Sequence, residues 1–428
     1  MTEQTQAEVN ADAWDELLEE ETGPAAIVIR ERLRPATGRL TAVAPPTFAP
    51  SGRGKSDYHS DGEDPQNWQA VLEAAAAGRV VNRCTLDSIP SQANRMESHL
   101  KLFEGTSIPK VTLTGVKGES MSLLDVGHRV ADAALWSAEN YEDFQNALEA
   151  YVRGDAGRLA RLAPTSLVFG YWDSRGTTGG KARRLVRSEI FAENVVRLTR
   201  KSQYWASVDP EANEDLKKAL DEAKAKAKDD EEKDVGSQLG FRDAPASGLG
   251  GVIAHGEIVR LTILSLTGLR NLSVRLDEKG NALDDKEQSR PTHSLRRYLL
   301  ALMLAAATST KAGWDLREGC LLVQQRKPKD GEKDGIPDIT WTKVFHDGRE
   351  EPWTIPPAAA TVKPYLSKTA EAFFKPKLET DPKFPAERNL RFNAGTAAQR
   401  VREKLAGKDQ TKNTATPGGS KTGRKKRG

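Results

Sequence analysis

Apolar residues recur along this chain in short bursts whose spacing shifts between two and three or four, which predicts strands interleaved with helices. Ile27-Val28-Ile29 within AAIVIRERLRP predicts a first strand, ended by Pro35. Arg79–Leu86 (RVVNRCTL) predicts a second. Pro90 marks a helix start, and Ala93, Met96, Leu100 and Phe103 follow at helical spacing. Val111–Leu113 reads as a short extended piece, and helices are predicted near Gly127–Trp136 and Tyr141–Val152. Ser166–Trp172 predicts a strand. Between Arg183 and Arg200, Val186, Ser188, Ile190 and Ala192 alternate as on a strand, with a helix left open as the alternative. Glu257–Leu269 is β-like, residues 293–307 (HSLRRYLLALMLAAA) form the most hydrophobic helix, and Cys320–Gln325 reads as a late strand. Strands separated by helices and long insertions predict an α+β fold with an antiparallel sheet.

Composition refines this picture. The 428 residues are 37% hydrophobic, below the ~45–50% usual for compact chains, so part of the sequence belongs to loops, insertions or tails. Lys+Arg and Asp+Glu nearly balance, at 64 against 61, but they are unevenly placed. Residues 12–21 (DAWDELLEEE) are acidic, and residues 1–23 read as a flexible N-terminus. Residues 212–234 alternate acid and base and predict an exposed helix or mobile insertion. The stretch from Gly407 is basic and poor in apolar residues, so residues 379–428 read as a disordered basic tail. Two cysteines, Cys84 and Cys320, exclude a disulfide framework and a Cys-rich zinc site. The six histidines are scattered, and no metal or other cofactor is expected. With no apolar run near the ~20 residues of a membrane span and no signal-peptide core, a soluble cytoplasmic protein is expected.

Several segments carry candidate chemistry. Asp87–Glu97 (DSIPSQANRME) joins a strand end to a helix start, where Ser88 and Ser91 can cap and the free N–H groups attract anions. Gln92, Arg95 and His99 fall on one polar face of that helix, which suits a phosphate backbone; a plain capped amphipathic helix is the alternative. His128-Arg129 opens the next helix. Trp172–Arg184 (WDSRGTTGGKARR) combines glycines, hydroxyls, four cations and an aromatic ring. It fails the phosphate-loop template, because Arg175 stands at the first glycine position and Ala182 replaces the magnesium-binding hydroxyl. Gly248–Gly251 precedes a strand rather than a helix, so it is no dinucleotide fingerprint. There is no G-x-S-x-G; Asp87, Asp125 and Asp173 sit at element ends without a second catalytic group beside them in sequence.

Taken together, LDSIPSQANRMESHL, LDVGHRVADA, LVFGYWDSRGTTGGKARRLVRSEI and GLGGVIAHGEIVR, after the RERLRP…PPTFAP opening, resemble one family. It is the backbone subunit of type I-G (formerly I-U) CRISPR effector complexes, a RAMP-superfamily protein of the group-seven CRISPR-associated proteins. The resemblance runs in order from Ile27 to Val323; residues 212–234 and those after Gln325 lie outside its motifs. It implies a hand-shaped domain over residues 24–378. The palm is a ferredoxin-like (RRM-type) sheet with inserted finger and thumb elements, residues 202–250 being the candidate thumb. It also implies copies that polymerise along a guide RNA, which pairs with target DNA alongside other effector subunits. A separate helicase-nuclease does the cutting, so the chain itself is expected not to be an enzyme. The RNA contacts carried over are Ser91, Gln92, Asn94, Arg95, His128, Arg129, Trp172, Ser174, Arg175, Lys181, Arg184, Arg187 and Ser188. The alternative is an endoribonuclease of the same superfamily that cleaves bound RNA through a loop aspartate, for which Asp87, Asp125 and Asp173 are available.

Overall fold

Strand β1, Ala26–Pro35, alternates buried and half-buried positions along nearly its whole length. Ile27, Ile29, Glu31 and Leu33 therefore share one covered face, while Val28, Arg30 and Arg32 share the other. The structure is a computed structural model that describes residues 12–50, 56–116, 120–174, 179–226, 235–277, 279–309, 314–329, 332–354, 356–378 and 387–413. After β1 the strands used below are β2 (Asn82–Asp87), β3 (Lys110–Thr114), β4 (Ser120–Ser122), β5 (Tyr171–Trp172), β6 (Lys181–Ala182) and β7 (Val186–Glu193). They are followed by β8 (Val195–Tyr204), β9 (Ala244–Ala254), β10 (Ile258–Ser265), β11 (Trp314–Arg317), β12 (Cys320–Gln324), β13 (Ile339–Val344) and β14 (Glu387–Arg391). The helices are α1 (Ile89–Leu100), α2 (Glu214–Lys226), α3 (Asp285–Thr308), α4 (Ala359–Leu378) and α5 (Ala394–Asn413).

The main sheet runs β11-β12-β1-β10-β7-β2, with Ser60–Gly62 on the far edge, and every pairing is antiparallel. Ten residues make β1 long enough to seat two partners along one edge: β13 on Ala26–Glu31 and β12 on Leu33–Pro35. Helix α3 starts with a capping box at Asp284 and Glu287 and ends in the buried run Tyr298–Ala307. Tyr298 stacks on Phe373 of α4 with ring centroids 5.2 Å apart. Helix α1 packs beside α3 over the same sheet face.

That face holds two apolar cores divided by a polar seam. Ile27, Ile29, Val186 and Leu264 meet the helices in the larger core. Leu33, Leu86, Ile190, Ile258 and both cysteines meet Val43 and Val252 in the smaller one. Between them the same strand faces carry Glu31, Arg260, Thr262, Ser188 and Asp87, all buried. Glu31 is register partner to Arg260, and Ser188 to Thr262. Arg260 donates to Glu31 at 3.4 Å, to Gln92 at 3.1 Å and to Ser188 at 3.2 Å. Burial pulls the Arg260 guanidinium below its ordinary pKa, and the Glu31 carboxylate opposes that shift.

Several sequence expectations change. The segment read as a flexible acidic N-terminus is, from Asp12 to Leu18, a 3₁₀ helix that buries Trp14, Leu17 and Leu18. Its acids have partners: Asp15 accepts from Arg297, Glu20 from Arg296, and Glu16 pairs with Lys343. Ser166–Trp172 is not a strand throughout. Pro164–Val168 is a short helix with Pro164 in its first turn, and only Tyr171–Trp172 is extended. The helix expected near residues 127–136 is broken by Asp132, which caps the separate turn Ala133–Trp136. The tail is also partly folded: β14 pairs in parallel with β3, burying Leu390, and α5 follows. Residues 1–11, 379–386 and 414–428 lie outside the described residues. Among the described residues no helix is long and apolar enough to cross a membrane.

Replacing Arg260 by Ala strands Glu31 in the interior, so urea unfolding should show a loss of roughly 3–5 kcal/mol. The double change Arg260→Met with Glu31→Leu should recover much of it. A single-variant loss near zero would mean that the seam does not hold the sheet together.

Candidate nucleic-acid interface

The local geometry begins at Gly170, whose φ of +77° suits glycine. A Cβ there would lie 2.9 Å from the Ala182 carbonyl oxygen and 3.0 Å from Cγ of Arg184. This turn lets β5 and β6 pair tightly, Tyr171 with Ala182 and Trp172 with Lys181, and the Asp173 N–H donates to the Gly180 carbonyl at 2.8 Å. Alternation sends Tyr171 and Ala182 inward and places Trp172 and Lys181 side by side on the outer face. Trp172 is 70% exposed, unusual for so large an apolar ring.

Cations continue from this ring: Lys181, Arg183, Arg184 and Arg187 are all exposed. Among the described residues no carboxylate pairs with Lys181, Arg183 or Arg184, whereas Arg187 reaches Glu189 at 3.1 Å. Arg184 is held below its ordinary pKa by partial burial and by the neighbouring Arg129 and Arg187 guanidiniums. An anion beside it would relieve that repulsion. Ser174 is exposed on the same loop; Arg175 lies outside the described residues.

Other expected contacts face inward. Gln92 is buried, donates to Asp87 at 2.6 Å and accepts from Ser188 at 3.2 Å. Ser188 follows Arg187 on a strand, so the two point to opposite faces and cannot both line one groove. Arg129 is buried at φ +53° and donates to both Glu97 oxygens at 2.7 Å. It also donates to the Gly170 carbonyl at 3.2 Å, so it braces the Gly170 turn from inside. Of the polar face read on α1, Gln92 is docked in the seam, while Arg95 is exposed and His99 half-buried. Arg95 is exposed yet tethered: its Nε donates to Asp87 at 3.0 Å and its Nη2 to the Leu316 carbonyl at 2.8 Å, with 38% of the side chain exposed. Asn94 and His128 are exposed and Ser91 is half-buried. Ser88 caps α1 as expected, accepting from the Ser91 N–H at 3.4 Å. Partial burial holds His99 below its ordinary pKa.

The three loop aspartates differ in the same way. Asp87 is fully buried and bound by Gln92, Arg95 and Arg317. Asp125 pairs with Lys101, and Asp173 is buried at the loop end of the β5–β6 hairpin. Sequence reasoning missed Arg260, although its parity with Ile258, Thr262 and Leu264 was a signal of burial. It also missed the β8–β9 ribbon. Val195 and Val196 root it in the core, then every residue from Thr199 to Tyr204 is exposed, including Arg200 and Lys201.

Residues 27–197 match the model of a family described as CRISPR-associated protein GSU0053. The match supports a CRISPR-associated protein. It spans about two-fifths of the chain, from β1 to the first residues of β8, and so contains the hairpin and every RNA contact expected above. No curated protein matches the chain.

The inward and outward groups should separate in denaturation. Arg129→Ala leaves the Glu97 carboxylate buried and should cost roughly 3–5 kcal/mol. Trp172→Ala should stay within ~0.5 kcal/mol of the parent. The reverse order in a urea titration would contradict this division of roles.

Proposed function

We propose that this chain is the backbone subunit of a CRISPR effector complex, of the type I-G RAMP kind, and that it grips the guide RNA by its sugar–phosphate chain. The observation that carries the reading is the outer face of the β5–β6 hairpin. There Trp172 and Lys181 stand side by side, with the exposed Arg183 and Arg184 next in sequence and, among the described residues, paired to no carboxylate, inside the region of the family match. Cations attract phosphates whatever the base, and a flat ring stacks on any base. Base edges then remain free to pair with target DNA, which sequence-specific edge contacts would prevent.

The order β12-β1-β10-β7, with α1 before β7 and α3 before β12, supports a ferredoxin-like palm. The β8–β9 ribbon, carrying α2 at its far end, supports residues 202–250 as the thumb. In this reading the partners are the guide RNA, target DNA through it, further copies of the chain and other effector subunits. The chain is a holder rather than a nuclease: Asp87, the aspartate beside the SQANR helix, is bound by Gln92, Arg95 and Arg317 instead of facing a substrate.

Each phosphate neutralised on a single strand contributes about 0.7 to the slope of log affinity against log salt. Lys181→Ala with Arg184→Ala should therefore lower RNA affinity and flatten that slope by about 1.4. Trp172→Ala should weaken binding by roughly 1–3 kcal/mol per lost stack and leave the slope unchanged. An unaltered slope in the double variant, measured by fluorescence anisotropy across a salt series, would remove the hairpin from the site.

A further inference from the structure

Beneath the β5–β6 hairpin lies a polar cluster that its outer face does not use. Alternation turns Tyr171 and Asp173 to the inner side, where they are 6% and 4% exposed, while Trp172 between them faces out. Next to them is the helix Glu142–Val152, with Tyr141 at its N-cap and Tyr151 in its last turn. The rings of Tyr151 and Tyr171 meet edge to face at 5.9 Å. Tyr141 and Tyr151 are half-buried, so the cluster reaches the surface through them. Burial pushes the Tyr171 phenol above its ordinary pKa, and Tyr151, Asp173 and Tyr141 add to the rise. Burial and then Asp173 raise Tyr141, opposed by the Arg400 guanidinium, and burial raises Tyr151, opposed by Arg183. Three phenols and a carboxylate therefore converge, with Arg183 near one phenol and Arg400 near another.

Within this cluster the Tyr171 hydroxyl is buried and has no hydrogen-bond partner. Buried polar groups are normally paired, so an unpaired one calls for a reason, and a hydroxyl kept for an incoming ligand supplies it. A ribose fits the chemistry. Its 2′-hydroxyl both donates and accepts, so it can give its hydrogen to a carboxylate and take one from a phenol. Carboxylates hold ribose hydroxyls in this way at dinucleotide sites. Asp173, as a carboxylate with several lone-pair sites, can accept there in addition to its existing contacts. We propose that Tyr171 and Asp173 read the ribose 2′-hydroxyl of the bound strand and so select RNA over DNA. Arg183 joins the cluster to the cation track: it is exposed, lies two residues after Lys181 and is near enough to Tyr151 to act on its phenol. A phosphate held by Arg183 brings its own sugar to the Tyr151 side of the hairpin. The inference rests on the reading that the hairpin binds the guide, and it adds how the chain holds that strand rather than the DNA paired to it.

The test measures the affinity of the full-length chain, by fluorescence anisotropy, for a labelled single-stranded RNA and for the DNA of the same sequence. The parent should prefer RNA by roughly tenfold or more. Tyr171→Phe should lose roughly fivefold or more on RNA and stay within about twofold on DNA, so the ratio falls. Its urea midpoint should be no lower than the parent's, since the hydroxyl it removes bonds to nothing in the free protein. Asp173→Asn should lower the ratio likewise. A parent that binds both strands equally, a variant that keeps the parent's ratio, or a Tyr171→Phe loss that is equal on RNA and DNA would overturn the proposal. RNA binding with the ratio unmoved defeats the sugar contact alone and leaves the hairpin reading standing. A ratio that falls while Lys181→Ala with Arg184→Ala leaves the salt slope unaltered defeats the cation track and leaves the sugar contact standing. Failure of the parent to bind RNA defeats both.

Discussion

A row of buried polar side chains, from Glu31 through Arg260, Ser188 and Gln92 to Asp87, governs how this molecule is arranged. Groups of that kind are tolerated in an interior only when each finds a partner. Satisfying them fixes the register of four strands and the seat of α1 at once. It also divides the apolar interior into a helix-covered core and a smaller one reached by β9, β11 and β12. Removing one charge from such a row leaves its partner dehydrated and alone, which costs far more than an exposed ion pair would.

The seam has a functional corollary. Polar residues that a linear reading would offer to a phosphate backbone are committed to holding the fold: Gln92 and Ser188 in the seam, Arg129 against Glu97. What stays outside is the short hairpin that Arg129 braces at Gly170. In the proposed reading, rigid support beneath an exposed ring and cations favours binding, because fewer rotamers must be ordered when a strand arrives. Division of labour between Arg129 beneath and Arg184 above the same turn is the local form of that principle.

Much of the main sheet was legible because its strands alternate cleanly; Val186, Ser188, Ile190 and Ala192 share the covered face as their spacing predicts. The long α3 was equally plain from its apolar run, though its polar first turns were not, since they rest on a capping box rather than on hydrophobic spacing. Pro164–Val168 was misread because it is buried on every side, so its burial carries no period. Asp12–Leu18 was misread because acidic composition hid partners, Arg297 and Lys343, that lie hundreds of residues away. At the candidate site, composition could not tell inward from outward. Arg187 and Ser188 are adjacent in sequence and opposite in space.

In the proposed reading the β5–β6 hairpin and the arginines after it, rather than the SQANR helix, touch the nucleic acid. Ultraviolet cross-linking of the purified chain to a single-stranded RNA, followed by mass spectrometry of the attached peptides, tests it most directly. The account predicts adducts within residues 171–187, centred on Trp172, and none on Gln92, Arg129 or Ser188. Adducts confined to residues 91–95 and 128–129, with the hairpin peptide unmodified, would contradict it.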